Sequence, residues 1–410
     1  MESQFPSRRQ AFGLASTVVA GVAALAACST QESAKPESST PQDDIGFEFR
    51  PAQPGPPPGS LDENELRSVL AGYSMPAEWT PHERTILGWP SSEEGWGPVQ
   101  AGRSVVASVR DEIAELARTI ARFEPVVLCA MPEQVADAQR QCGPGVEVVP
   151  IPVDDLWTRD TAPSFVTGPQ GLIGIDFNFN AWGNKREFLH DNRLSRRTLE
   201  RFGVRRVQAP MIAEGGAIEI DGEGTLLATE SSLVNDNRNA GQSRDRVEAM
   251  LSQLLGIRKV IWLKGIRGED ITDGHVDLIT RFVEPGIVVV NRAPEGAPKD
   301  KWTPVWQEAV DVLRSATDAS GRKLRVVEIP EADARKLGEH GSALRTSYVN
   351  YYVCNGAVVV PAFGDQPADD RALATLRELH PGRAAVAVNI RNLAEGGGGI
   401  HCATMQQPKV

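Results

Sequence analysis

Three short glycine-containing segments also hold the residue types of a nucleophilic active site. They are 396–402 (GGGGIHC), 214–216 (EGG) and 274–277 (GHVD). Glycines let the backbone approach a small neighbour closely, which would present the thiol of Cys402 to a substrate. A thiol that attacks carbon needs a group that moves protons and a group that orients it. We therefore predict Cys402 as the nucleophile, His275 as the acid and base, and Glu214 as the partner of the imidazole.

Aspartates close to these residues could bind a planar cation. A guanidinium carries a fork of N–H donors that pairs with carboxylates, so two acids are needed. Asp277 follows His275 by two residues on a predicted strand, which would place both side chains on one face. Asp160, in the predicted loop 155–163, is the second predicted clamp. Trp157 in the same loop is either a core residue or a contact for a cationic chain.

These residues together predict one reaction. The Cys402 thiolate would attack the central carbon of the guanidinium, and ammonia protonated by His275 would leave an amidino-cysteine. Neutral His275 would then activate water, so that one imidazole serves as acid and then as base. Nearby carboxylates should raise the pKa of the thiol, and a bound cation should offset them. We therefore expect the thiolate to form fully only with substrate present.

Each assignment has a structural alternative. His275 could be a buried histidine without a catalytic role, and 214–216 could be a plain turn, because glycine pairs mark turns anywhere. Asp160 could form a salt bridge with its neighbour Arg159. We predict His401 as structural and the remaining histidines as surface residues: His82, His190, His340 and His380.

Composition and charge limit the class of protein. The 410 residues carry a net charge of −11, with 41% hydrophobic and 24% charged residues. These fractions are typical of a globular protein whose mature chain needs no membrane core, and the charge argues against nucleic acid as a partner. A small cationic substrate fits the charge, and association into a homo-oligomer is left open.

The first 60 residues have the composition of an export signal and a tether. Arg8-Arg9 precedes the apolar stretch 13–27, which is short for a membrane span, and suggests the twin-arginine route. The sequence LAAC at 25–28 resembles the lipobox of bacterial lipoproteins, with Cys28 as the acylated residue; cleavage without lipid is the alternative. We therefore predict a signal peptide over 1–28, a disordered Ser- and Pro-rich tether over 29–60, a catalytic domain over 61–410, and an extracytoplasmic, lipid-anchored protein.

From residue 61 onward, amphipathic helical segments alternate with short β-branched runs, which predicts an α/β fold with a loose repeat. Asn355-Gly356 predicts a hairpin turn. Helices are predicted around 105–120, 133–140, 243–255, 304–317 and 369–379. Strands are predicted at 126–128, 146–153, 171–179, 224–229, 259–263, 287–291, 324–329, 348–360 and 384–389. Cys129 and Cys354 fall in such apolar runs, so we expect no disulfides.

The order of motifs from Tyr73 to Pro408 resembles the agmatine deiminase group of the guanidine-modifying, or pentein, superfamily. The matching segments are 75–79 (MPAEW), 81–83 (PHE), 157–160 (WTRD), 179–183 (FNAWG), 214–216, 274–277, 347–350 (SYVN), 363–365 (FGD), 400–402 (IHC) and 406–408 (QQP). The resemblance implies a five-bladed α/β propeller with pseudo-fivefold symmetry and the site on its axis. It also implies the roles given above to Cys402, His275, Glu214, Asp160 and Asp277, with neither a metal nor an organic cofactor.

The sequence departs from that pattern at two places. Gly399 stands where the family usually has asparagine, and the segment 269–273, which includes the further substrate-binding candidate Asp270, differs as well. The expected reaction is hydrolysis of agmatine, or a close guanidine, to N-carbamoylputrescine and ammonia. Three alternatives remain open: deimination of arginine or peptidyl-arginine, amidino transfer, and a lipid-anchored protein that binds cationic solutes without reaction.

Overall fold

Five small β-sheets form the framework of the part of the chain that the computed structural model describes, which is residues 55–91, 96 and 104–410. These residues belong to one compact unit, Gly46–Val410. The strands are β1 His82–Gly88, β2 Val126–Cys129, β3 Val146–Val149, β4 Ser164–Gly168, β5 Gly171–Asp176, β6 Arg205–Gln208, β7 Glu219–Ile220, β8 Thr225–Thr229, β9 Lys259–Leu263, β10 Thr280–Glu284, β11 Ile287–Arg292, β12 Arg325–Pro330, β13 Tyr352–Cys354, β14 Ala357–Ala362, β15 Ala384–Asn389 and β16 Met405–Pro408.

Helices connect the strands. They are α1 Glu63–Val69, α2 Val105–Ile120, α3 Val135–Cys142, α4 Thr158–Thr161, α5 Ala181–Asn184, α6 Leu194–Phe202, α7 Glu230–Leu233, α8 Asp236–Asn239, α9 Arg244–Leu255, α10 Thr303–Ser315 and α11 Gln366–Leu379. The longer helices α2, α6, α9, α10 and α11 each link the second strand of a sheet to the parallel third strand. Parallel neighbours require such a crossover, because a tight turn can join only antiparallel strands.

One strand pattern recurs in all five sheets. An outer strand pairs antiparallel with a middle strand, which pairs parallel with the next: β4-β5-β6, β7-β8-β9, β10-β11-β12 and β13-β14-β15. In the remaining sheet, β16-β1-β2-β3, the outer strand comes from the other end of the unit, with Met405 opposite Ile86. This pairing carries the segment that contains Cys402 back to the first sheet.

Burial of apolar faces holds the helices to the sheets. Val109, Ile113, Leu116 and Ile120 of α2 are completely buried, as the helical spacing predicted. Burial of each such side chain contributes about 1.5–3 kcal/mol. The hairpin at Asn355-Gly356 joins β13 to β14 as predicted, with Gly356 at a φ of +77°. The predicted strands and helices are present, although their bounds shift by as much as four residues.

Two predicted local structures are wrong at site residues. His275 and Asp277 do not lie on a strand, because Val276–Leu278 forms a 3₁₀ turn before β10. Asp160 lies in α4 rather than in a loop, since the N–H groups of Asp160 and Thr161 both bind the carbonyl of Trp157. A period of two residues over so short a stretch does not distinguish a strand from a single helical turn.

The prediction that scattered histidines lie on the surface is wrong for two of them. His82 is 3% exposed, and its Nδ1 and Nε2 bind Glu124 and the carbonyl of Glu78. His380 is buried against Tyr351.

The four cysteines within the described ranges are free and buried, with Cys129 and Cys354 on strands as expected. Among the described helices none is both long and apolar enough to cross a bilayer.

Candidate functional site

Each sheet delivers a site residue from the segment that immediately precedes its outer strand. We call these five stretches the entry segments: 158–161 before β4, 214–217 before β7, 275–278 before β10, 347–350 before β13 and 399–402 before β16. They carry, in the same order, Asp160, Glu214, His275 with Asp277, Asn350, and Cys402. The repeated strand pattern therefore brings together residues that lie far apart in the sequence.

A small cavity opens beside Cys402. It is lined by Trp157, Asp160, Trp182, Arg186, Ile271, Thr272, Gly396, Gly397, Gly398 and Cys402. Trp157 therefore contacts the cavity, and its Nε1 donates to Asp155 at 3.0 Å. Trp182 adopts a φ of +54°, which is strained for a bulky residue, and its Nε1 donates to Asp160 Oδ2 at 2.9 Å.

His275 lies between two acids. Its Nε2 is 3.3 Å from Glu214 Oε2, and its Nδ1 is 3.7 Å from Asp160 Oδ1. Burial lowers the pKa of His275, but Asp160 and Glu214 outweigh burial and raise it to about 9. Burial raises the pKa of Asp160 to about 6, against the opposing effect of His275 and with the help of Asp277 and Glu214. An imidazolium and an ionised Asp160 therefore coexist between about pH 6 and 9.

Asp277 lies against the nucleophile. Its Oδ2 is 3.4 Å from the Cys402 thiol and 2.8 Å from His401 Nδ1. Burial raises the pKa of Asp277, but the bond to His401 and the charges of His401 and His275 reverse this, so the net pKa is lowered. Burial, and then Asp277 and Asp160, raise the pKa of Cys402 well above its ordinary value. The thiol is therefore protonated while the cavity lacks a cation.

Two buried polar atoms at the site have no hydrogen-bond partner: His275 Nδ1 and Asp277 Oδ1. Both residues are completely buried. Leaving a buried polar atom unpaired costs about 1–3 kcal/mol. Asp277 Oδ1 is an acceptor, so it suits a ligand that carries N–H groups, whereas Nδ1 of the protonated imidazole can donate only to a ligand nitrogen that has gained a lone pair.

Asn350 is a site residue that the sequence analysis did not assign, although its segment was among the matching motifs. Its Nδ2 donates to Cys402 Sγ at 3.2 Å, and its Oδ1 accepts the backbone N–H of Cys402 at 3.2 Å. The side chain therefore holds the nucleophile at two atoms. An asparagine four residues after Thr346 carries no pattern that distinguishes it, so only the fold reveals its role.

The glycines near the site are required by close packing. A Cβ on Gly216 would lie 2.5 Å from His275 Nδ1 and 2.8 Å from Asp160 Oδ1. A Cβ on Gly398 would lie 2.5 Å from the Trp157 ring. Gly399 stands where the agmatine deiminase group usually has asparagine, and a Cβ there would lie 2.6 Å from Asn350 Oδ1. In this chain the absent side chain at 399 thus leaves room for the residue that holds Cys402.

A buried ion network lies behind Asp277. The two nitrogens of His401 face Asp277 at 2.8 Å and Glu78 at 2.9 Å, so His401 bridges two buried carboxylates. Arg159 binds the same Glu78 carboxylate at 3.1 Å rather than Asp160, so the structural alternative for Asp160, a salt bridge with its neighbour, is not the one formed. Arg281 also pairs with Glu78, at 2.9 Å. The network supplies the positive charge that the buried acids near Cys402 require.

Asp270 lies away from the lining of the cavity. Its Oδ1 accepts hydrogen bonds from Thr272 N, Thr272 Oγ1 and Gly274 N, at 2.9–3.0 Å. The carboxylate thus holds the turn that leads to His275, and its neighbours Ile271 and Thr272 line the cavity instead. Within the described residues, no cluster of three or more His, Cys, Asp or Glu side chains could hold a metal ion.

Sequence comparison places this site in a known family. A family model described as Porphyromonas-type peptidyl-arginine deiminase matches residues 74–408. This match spans all five entry segments. The chain belongs to that family. Within it, the agmatine deiminase of Stutzerimonas stutzeri is 40% identical over 361 residues, covering 82% of this chain and 96% of the relative. The agmatine deiminase of Medicago truncatula is 35% identical over 381 residues, covering 84% and 99%.

Structural comparison agrees with the family. The solved agmatine deiminase of Enterococcus faecalis superimposes with a TM-score of 0.77 at 28% identity, covering 86% of this chain and 99% of that one. An α/β fold of the pentein type therefore fits this member of the Porphyromonas-type peptidyl-arginine deiminase family.

The charges around Cys402 predict a ligand-dependent thiol. Methylguanidine should lower the pKa of Cys402 by about 1–3 units, because the bound cation offsets Asp160 and Asp277. The measurement is the ultraviolet absorbance of the thiolate against pH after rapid mixing, taken as the difference between the wild type and Cys402→Ser to remove the other thiols. Equal pKa values with and without methylguanidine would contradict the expectation.

Proposed function

We propose that this chain hydrolyses agmatine, or a close guanidine compound, to a ureido product and ammonia. The observation that carries the proposal is the buried acceptor Asp277 Oδ1, which has no hydrogen-bond partner and belongs to the carboxylate whose other oxygen lies 3.4 Å from the thiol of Cys402. A guanidinium can donate to Asp277 and Asp160 while its carbon faces Sγ. Agmatine deiminases from bacteria and plants are 35–40% identical over most of this chain, which supports the substrate class.

The reaction begins when the cation lowers the pKa of Cys402, so that the thiol releases its proton to solvent and becomes a thiolate. The thiolate attacks the guanidinium carbon, and the C–N bond to one terminal nitrogen breaks as His275 donates a proton to that nitrogen, releasing ammonia. Sγ then carries the amidino group. Neutral His275 removes a proton from water, the resulting hydroxide attacks the same carbon, and the C–S bond breaks to give the ureido product and the thiol. Asn350 donates to Sγ throughout and keeps it in line with the carbon.

A cationic substrate tail also suits the surroundings of the cavity. A larger hollow beyond Trp182 and Arg186 is lined by the acids Asp154, Asp155, Glu187 and Asp191. Arg186 faces Asp155 at 3.6 Å, and burial followed by Asp154 raises the pKa of Asp191 well above its ordinary value, so Asp154 and Glu187 are the acids of this wall that can still attract a cation. We assign the ammonium end of agmatine to this side, because the excess negative charge favours a cation.

The five sheets support a five-bladed arrangement with pseudo-fivefold symmetry. Each sheet repeats the same antiparallel and parallel pairing, and each contributes one entry segment to the same site. A central position for the site would explain why all five sheets contribute to it. We place the catalytic domain at 61–410 on this basis.

We further propose that the protein is exported and lipid-anchored. The support comes from the sequence alone: Arg8-Arg9 before an apolar stretch, and the LAAC motif that ends at Cys28. These residues lie outside the described ranges. The enzyme would then act on guanidines outside the cytoplasm.

The proposed reaction is tested by turnover with purified protein. Agmatine, arginine and a short arginyl peptide are incubated separately, and ammonia and ureido product are measured. We expect turnover of agmatine and its loss in Cys402→Ser, with an amidino adduct on the wild-type protein after acid quench by mass spectrometry. Turnover of arginine or of the peptide, but not of agmatine, would make that compound the assigned substrate. Binding of agmatine without formation of products would contradict catalysis.

The two perturbed groups predict a bell-shaped pH dependence of kcat/KM. Asp160 must be ionised to bind the cation, so activity should fall below about pH 6; His275 must be protonated to release ammonia, so activity should fall above about pH 9. Asp160→Asn should lower kcat/KM on the order of 10²-fold and remove the acidic limb. Asp370→Asn, an exposed change on α11, is the control. An acidic limb that persists in Asp160→Asn would contradict the assignment.

A further inference from the structure

A buried arginine that the proposed reaction does not use lies directly behind the Glu214–His275 pair. Arg238 belongs to α8, and its side chain is completely buried. Its Nε donates to Glu214 Oε1 at 2.9 Å, while the other oxygen of that carboxylate faces His275 Nε2 at 3.3 Å. The guanidinium and the imidazole therefore bind opposite oxygens of a single carboxylate.

Asp273 holds the same arginine from the other side. Arg238 Nη1 donates to Asp273 Oδ2 at 2.6 Å, and that oxygen also accepts from Lys185 Nζ at 2.7 Å and from Asn237 Nδ2 at 2.9 Å. Asp273 adopts a φ of +63°, a strained conformation that aspartate and asparagine tolerate better than most residues. The strain places the carboxylate where three donors converge.

A second path joins Arg238 to the backbone of His275. Arg238 Nη2 donates to the carbonyl of Thr272 at 3.1 Å, and Thr272 Oγ1 accepts the backbone N–H of His275 at 3.0 Å. Thr272 also lines the cavity. One guanidinium therefore contacts both the carboxylate that orients the imidazole and the turn that carries it.

We propose that Arg238 is the positioning residue of the acid–base pair: held by Asp273, it fixes the Glu214 carboxylate and the Thr272 turn so that His275 faces the substrate. The inference rests on the proposed deimination. An arginine suits the position because its planar fork reaches acceptors in several directions, whereas a lysine ammonium on the same stem is a compact point charge.

Electrostatics supports the same role. Burial raises the pKa of Glu214, and Arg238 followed by His275 reverses this, so that the net pKa is lowered. Without Arg238 the burial penalty would be less opposed, and the proton shared by Glu214 and His275 would move toward the carboxyl group. The charged groups that face this pair, besides Arg238, are Asp160 and Asp277. Those that face Asp273 are Arg238 and Lys185, and Asp270 acts on Lys185.

Three substitutions separate positioning from binding. Arg238→Gln should lower kcat for agmatine on the order of 10²-fold, the contribution of acid–base catalysis, while KM changes little because Asp160 and Asp277 remain. Arg238→Lys, which keeps the positive charge, should lower kcat by a smaller factor. Asp273→Asn keeps the strained backbone but removes the negative charge, and its kcat should lie between those of the two Arg238 variants. Arg206→Gln breaks a partly exposed pair with Asp176, away from the cavity, and should leave kcat unchanged.

A spectroscopic measurement tests the proposal without turnover. Protein with ¹⁵N-labelled histidine is prepared in the Cys402→Ser background, and the signals of His275 are assigned with a His275→Asn variant. At neutral pH the imidazole should be doubly protonated with Arg238 present and should gain a neutral fraction in Arg238→Gln and Asp273→Asn. Circular dichroism and thermal unfolding identify the variants that retain the fold.

Two results would overturn the role of Arg238. One is a folded Arg238→Gln or Asp273→Asn protein whose His275 stays as fully protonated as before. The other is a parallel worsening of kcat and KM that follows the loss of thermal stability. If the wild type turns over no guanidine, the proposed function fails, while the imidazole measurement still decides the positioning role.

Discussion

Burial of several carboxylates around one thiol is the constraint on which the rest of the structure depends. Asp160, Glu214 and Asp277 are at most 7% exposed, and the pKa of Cys402 is raised by two of them. Taking such charges out of water is costly unless each is paired. Imidazoles and guanidiniums provide that pairing: His275 and Arg238 for Glu214, and His401 for Asp277.

The compensation is incomplete at the point where substrate would bind. Asp277 Oδ1 has no hydrogen-bond partner, and His275 Nδ1 lies 3.7 Å from Asp160 Oδ1 without a hydrogen bond, although the other polar atom of each side chain is hydrogen-bonded. The free protein therefore holds a local excess of negative charge that a guanidinium removes. Substrate binding and nucleophile activation are coupled by this charge, since the same cation that fills the cavity lowers the pKa of the thiol.

Some of this account could be predicted from the sequence. The glycines beside an acid, an imidazole and a thiol indicated Glu214, His275 and Cys402 as site residues. Strong hydrophobic periodicity predicted the helices α2 and α9 and most of the parallel strands. The strands β1, β4, β6, β7, β10 and β16 and the single-turn helix α4 were among the elements not predicted, and the shortest of them hold too little periodicity to be recognised. The outer strands position the entry segments that precede them. Patterns along the chain therefore could not show that these distant segments meet at one site.

Residues that act through others were also invisible in the sequence. Asn350 and Arg238 belong to no chemical motif of their own, and they became evident only from their distances to Cys402 and Glu214. His82 and His380 were predicted at the surface because isolated polar residues usually lie there; buried partners stabilise them instead. The partners come from distant segments, which a linear pattern does not connect.

The most direct test of the central claim is a crystal structure of Cys402→Ser with agmatine. The account predicts the guanidinium in the cavity, with a nitrogen about 3 Å from Asp277 Oδ1 and another beside Asp160, and with His275 Nδ1 facing the ligand. A guanidinium bound elsewhere, or a guanidinium in the cavity that leaves Asp277 Oδ1 without a hydrogen bond, would contradict it.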